Sequence, residues 1–174
     1  MSIPLPMTTE RLTIRTFRPE GDSKAMLAVY GDPEVMRFIA GGALPDVVAV
    51  RSLLTDYTEA QRVRGFSSWA VVERTSGRLI GDAGFGIFEP TGDVELGYTL
   101  ARDAWGHGYA TEAASACLAA GLQHLDVPRI VALVDEANAA SLRVAERLGL
   151  TKIDAIEAHG RPHVMFATER RRTG

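Results

Sequence analysis

The chain has 174 residues, 46% of them apolar and 24% charged, which suits one globular domain and argues against disorder. Lys and Arg number 19 against 22 Asp and Glu, and the net charge of −3 excludes a globally basic nucleic-acid binder. A single cysteine, Cys117, excludes an internal disulfide framework and a multi-cysteine zinc site. No apolar run approaches the ~20 residues of a bilayer span. The segment Met1–Met7 has neither the basic start nor the apolar centre of a signal peptide. The expectation is one soluble, cytoplasmic domain over residues 1–174, with no membrane partner and a flexible basic tail over 169–174.

The first strand signal is Arg11–Phe17, where Leu12 and Ile14 alternate with polar neighbours. Short helices are expected over Asp22–Tyr30 and Pro33–Phe38. A longer one is expected over Asp46–Arg62, capped by Asp46. Phe66–Glu73 and Arg78–Phe88 read as an antiparallel pair, because Arg74-Thr-Ser-Gly77 between them has turn chemistry. Val94–Leu100 is a further strand. Gly108–Leu125 carries an apolar stripe of mostly small residues, including Ala113, Ala114, Cys117 and Gly121, so this helix can lie close to a sheet. Arg129–Val134 reads as a strand and Ala139–Leu148 as a helix, ended by Gly149 in a left-handed cap. Strands near Leu150–Ile156 and Val164–Thr168 complete an α/β chain with a mixed sheet.

The chemistry concentrates between Val94 and Ala113. A strand runs into Trp105-Gly-His-Gly108, and that turn opens the long helix. Gly106 and Gly108 let main-chain N–H groups converge, and the helix N-terminus adds orphan donors and partial positive charge. Such a place seats phosphate. Gly106-His-Gly108-Tyr-Ala-Thr111 begins like a dinucleotide fingerprint, but Thr111 occupies the third small position and the preceding meander is not a βαβ unit. Glu112 in the first turn suits the helix dipole. His124 reads as solvent-facing. His159 and His163 flank Gly160-Arg-Pro162, taken as a turn, and read as surface residues bordering a cleft. No metal triad is visible.

Trp105-Gly-His-Gly-Tyr-Ala-Thr-Glu-Ala113 resembles the acyl-CoA phosphate loop of the GNAT superfamily of N-acetyltransferases. The likeness is to the bacterial branch that includes ribosomal-protein N-terminal acetyltransferases. It continues in Thr9-Glu-Arg-Leu-Thr-Ile-Arg15, Leu79-Ile-Gly-Asp-Ala-Gly84, Glu95-Leu-Gly-Tyr98 and Asn138–Leu150, in the family's order. Trp105 stands at the loop's usual Gln/Arg position, which leaves main-chain donors to carry more of the contact.

The resemblance implies a mostly antiparallel, seven-stranded sheet flanked by helices, whose parallel strands splay at the cofactor. It implies acetyl-CoA as acyl donor and CoA as product. Gly106, His107, Gly108, Tyr109, Ala110 and Thr111 would hold the diphosphate. Tyr98, Thr99, Leu100 and Arg102 would pair with the amide-bearing arm, and Asn138 would hydrogen-bond to it. Glu95 would act as general base and Ser141 would protonate the leaving sulfur, with no acyl-enzyme. The acceptor would be a primary amine on a protein N-terminus or a small molecule, and the family leaves a homodimer open. The alternatives are a non-enzymatic acyl-CoA-binding module and a Rossmann-like NAD(P) enzyme.

Overall fold

Residues 1–169 are described by the computed structural model, so residues 170–174 of the expected tail lie outside the described residues. Met7–Thr8 (β1) pairs antiparallel with Leu12–Arg15 (β2), where Leu12 and Ile14 are fully buried as their alternation requires. The first helix, Pro19–Tyr30 (α1), starts three residues earlier than expected, because Pro19 takes the first helical position. Asp22, placed at the helix start by sequence, instead accepts hydrogen bonds from the Arg18 N–H and the Arg15 guanidinium. A 3₁₀ turn over Val35–Phe38 leads to Val47–Arg64 (α2). The Asp46 carboxylate caps α2, accepting from Ala49 N–H at 2.9 Å.

Ser68–Glu73 (β3), Leu79–Phe88 (β4) and Asp93–Leu100 (β5) form the antiparallel meander. After β5 come a 3₁₀ turn at Arg102–Ala104, the long helix Tyr109–His124 (α3), Arg129–Asp135 (β6) and Ala139–Arg147 (α4). The hairpin Thr151–Ala158 (β7) and Arg161–Glu169 (β8) ends the described chain. The eight strands run β1-β2-β3-β4-β5-β6-β8-β7, with β5–β6 the one parallel contact. Seven strands were expected. The eighth is β1, whose two residues are too few to show alternation.

The α3 stripe does what its small residues permit. A Cβ on Gly121 would stand 2.6 Å from Phe85 Cζ and 2.8 Å from Ile130 Cδ1, so the close helix–sheet approach requires glycine there. Ala113, Ala114 and Cys117 are fully buried, and burial pushes the Cys117 thiol up to about 12. No helix among the described residues is long and apolar enough to cross a membrane.

The last hairpin corrects one expectation. Its turn is His159-Gly160, both with positive φ (53° and 73°), not Gly160-Arg-Pro162. His163 therefore lies inside β8, opposite Asp135, and is 5% exposed rather than a surface residue. His124 is half-buried rather than solvent-facing.

Candidate active site

Strands β5 and β6 pair only at Val94–Ile130 and Glu95–Val131, then part. Pairing to β4 holds the other edge of β5 through Leu100, so β5 keeps its course while β6 diverges. The β6-facing edge of β5 from Leu96 onward thus carries no ladder partner, which exposes main-chain donors and acceptors to an extended ligand. A cavity of about 960 Å³ opens there, lined by β5, the turn before α3, the end of β6 and the start of α4.

The turn forms one wall. Gly106 and Gly108 have φ of +77° and +79°, the left-handed region that favours glycine. Gly106, Gly108, Tyr109, Ala110 and Thr111 line the cavity. His107 is not among the lining residues; its ring lies 5.7 Å from that of Tyr109 and its carbonyl accepts from Arg11 Nη1 at 2.7 Å. The Trp105 indole donates to the Leu100 carbonyl at 2.9 Å, latching the turn to the end of β5. Arg102 also stands outside the lining, its guanidinium paired with Asp32.

A brace behind the turn was not read from sequence. Glu112 accepts from the Thr9 hydroxyl (2.6 Å), the Arg11 N–H (2.8 Å) and Arg11 Nε (2.7 Å). Burial raises the Glu112 pKa, but these donors outweigh it and hold the carboxyl below its ordinary value. The Arg11 guanidinium also lies 4.4 Å from the Tyr109 ring centroid. Arg11 and Glu112 therefore fix the phosphate-type turn from outside. Arg11→Ala is expected to weaken CoA binding roughly tenfold in calorimetry, the loss of about one charged hydrogen bond's worth of positioning. The rate at saturating acetyl-CoA should stay within about twofold of wild type.

The far wall carries several polar side chains. Asn138 caps α4 by accepting from Ser141 N–H at 3.2 Å. The Tyr98 hydroxyl donates to Ser141 Oγ at 2.8 Å, so a β5 side chain bridges the gap to α4. Burial raises the Tyr98 pKa, with the Ser141 contact opposing. Glu95 also lines the cavity, and burial pushes its carboxyl up to about 7 while the nearby His163 opposes the rise. His163 Nδ1 lies 2.9 Å from the Arg161 carbonyl, which only accepts, so the proton sits on Nδ1. Arg161 pairs with buried Asp135 at 3.1 Å and donates to the Arg37 carbonyl at 3.1 Å, tying β8 to the Val35–Phe38 turn. His163, expected as a surface residue bordering a cleft, does line the cavity but is buried. The Tyr98 hydroxyl contact has no signal in sequence, because 43 residues separate Tyr98 from Ser141 with no local pattern joining them.

The family model for the acetyltransferase (GNAT) domain matches residues 11–151. The chain belongs to the GNAT acetyltransferase family. Acetyl transfer to an amine is the general chemistry of that family. The chain is 30% identical over 162 residues to the uncharacterized protein YkkB of Bacillus subtilis, covering 92% of this chain and 93% of that one. Its fold is similar to that of a GNAT-family acetyltransferase from Bacillus anthracis, with a TM-score of 0.83, 24% identity and coverage of 95% and 99%. It is also similar in fold to RimL, a ribosomal α-N-protein acetyltransferase solved in complex with coenzyme A. There the TM-score is 0.79 and the identity 17%, covering 96% and 97% of the two chains.

Proposed function

We propose that this GNAT protein transfers the acetyl group of acetyl-CoA to a primary amine by direct attack within a ternary complex. The observation that carries the reading is the gap between β5 and β6, which meets the glycine turn of α3 in one cavity. The free edge of β5 fits an amide-bearing arm, and the turn with the α3 N-terminus fits a diphosphate. A volume of about 960 Å³ leaves room for an acceptor beside the arm.

The residues then divide the work. Main-chain N–H groups of Gly106 to Thr111 hold the diphosphate. Adjacent N–H groups of a strand point to opposite edges, so Tyr98, and not Thr99 whose N–H faces β4, offers its N–H to the arm, and Asn138 keeps its side-chain N–H₂ for the same purpose. A donor on β5 near Gly97–Tyr98 steadies negative charge on the thioester oxygen, a contribution typically near 3 kcal/mol. Glu95 removes the proton that an acceptor ammonium carries, since an ammonium has no lone pair with which to attack. Ser141 gives its proton to the departing sulfur, and the Tyr98 hydroxyl, donating to Ser141 Oγ, supports it.

A CoA-release assay with peptides, polyamines and aminoglycosides tests the reading, and no release with any primary amine would overturn it. Ser141→Ala is expected to lower kcat at least tenfold while leaving the acetyl-CoA Kd within about twofold. Unchanged turnover would remove Ser141 as the acid.

A further inference from the structure

Beyond Glu95, three carboxylates line the cavity: Glu34 pairs with Arg37, Asp135 pairs with Arg161, and the third, Asp82, is one that the mechanism does not use. Asp82 lies on β4 directly opposite Thr99 of β5, and both line the cavity. Asp82 is 4% exposed, and its Oδ1 has no hydrogen-bond partner. The hydroxyls of Tyr30, Thr99 and Ser68 lie beside the carboxylate, and Tyr30, from the end of α1, also lacks a well-formed partner of its own. Among the described residues no Lys or Arg forms an ion pair with Asp82.

A buried carboxylate without a cation is costly, by several kcal/mol even after relaxation. Here hydroxyls alone, from Tyr30, Thr99 and Ser68, oppose that cost. Burial pushes Asp82 up to about 6, with the neighbouring hydroxyls opposing, so the group is still mostly an anion at neutral pH. Tyr57 of α2 completes the surroundings with an aromatic ring in the same cavity, and aromatic faces also attract cations.

The position relative to Glu95 gives the site a length. Glu95, Gly97 and Thr99 share one face of β5, because side chains alternate along a strand. Between Glu95 and the Asp82–Thr99 pair stands Gly97, where an added Cβ would meet nothing within 4 Å, and all four residues line the same cavity. Four residues of strand separate Glu95 from Thr99, about 13 Å, and two separate Gly97 from Thr99, about 7 Å.

We propose that Asp82 is a second cation seat in the acceptor half of the cavity, so the favoured acceptor is a dibasic amine whose distal ammonium binds Asp82 while the proximal nitrogen is acetylated beside Glu95. The two nitrogens would stand roughly 7–13 Å apart, set by the strand spacing. This rests on the N-acetyltransferase reading and adds the acceptor's second charge to it.

The test compares two ligands of equal length, 1,6-diaminohexane and 6-amino-1-hexanol, titrated calorimetrically into protein saturated with CoA. Wild type is expected to bind the diamine at least tenfold more tightly. In Asp82→Asn that preference should shrink to within about twofold, whereas in Glu95→Gln it should persist, because both ligands place the same nitrogen there. Equal affinity of wild type for the two ligands, or no saturable binding of the diamine, overturns the proposal whether or not the variants fold. So does a preference that survives in Asp82→Asn, or an equal loss of both ligands there, which would mark Asp82 as a structural support. CoA release from acetyl-CoA with the same two amines separately tests the N-acetyltransferase reading. Tight diamine binding without release would defeat that reading while leaving the cation seat measured.

Discussion

Gly108→Val is expected to raise the CoA dissociation constant by about a hundredfold. Gly108 ends the turn as the N-cap of α3 with φ +79° and ψ +8°. A β-branched residue is strained in that left-handed region by more than the ~1–2 kcal/mol paid by an ordinary side chain. The added carbon would lie 3.5 Å from Arg11 Nη2, an ordinary van der Waals contact, so the backbone strain carries the effect. That strain rotates the N–H groups of the α3 N-terminus away from their common point. A loss of roughly 3 kcal/mol is about two decades in Kd. Gly106 provides the internal comparison. Its φ is +77° and a Cβ there meets nothing within 4 Å, so Gly106→Val suffers the same kind of backbone strain in the same turn and should lose comparable affinity. Calorimetric titration of CoA into the folded variants checks both. An unchanged Kd in Gly108→Val would dismiss this turn as the diphosphate seat.

Glu95→Gln is expected to lower kcat/KM by about 10²–10³ and to alter its pH profile. Burial holds the Glu95 pKa near 7, so in wild type the active, ionised base accumulates as pH rises from 5.5 to 8. The acceptor ammonium, with a pKa of about 8 for an α-amine or about 10 for an alkyl amine, adds a second rise at higher pH. The Gln variant should keep only that second rise. The same shift has a stability consequence of definite sign. A carboxyl whose folded pKa exceeds its unfolded value of 4.5 favours the fold below pH 4.5, and that contribution is lost as pH rises through about 7. Glu95→Gln should therefore gain in melting temperature relative to wild type between pH 4 and pH 8. A pH–rate profile identical to wild type would dismiss Glu95 as the base. A melting difference independent of pH would show that Glu95 is not held in its buried, raised-pKa state.

Much of this architecture is written in local pattern. The alternation at Leu12 and Ile14, the Asp46 cap, the small-residue stripe of α3 and the left-handed Gly149 each depend on residues a few positions apart, and each appears where the pattern places it. The glycine turn ahead of α3 is legible for the same reason, since helix start, glycine spacing and conformation are all short-range matters. A two-residue strand such as β1 carries no alternation, and the His159-Gly160 turn competes on sequence with a neighbouring Gly-Arg-Pro, so both required the assembled sheet.

The site divides in the same way. Local sequence determined the glycine turn and the strand leading into it, and the family resemblance pointed to Glu95, Asn138 and Ser141. Tertiary structure alone decided that Tyr98 reaches Ser141, that Arg11 and Glu112 brace the turn across about a hundred positions, and that His163 is buried beside Glu95. It also decided that Asp82, one residue in an ordinary strand, stands in the cavity wall without a counter-charge. The physical reason is range. Backbone conformation and capping are settled by neighbours in the chain, whereas burial, pairing and the ionisation of a carboxylate are settled by whatever the fold brings against it, and a linear pattern holds no record of that.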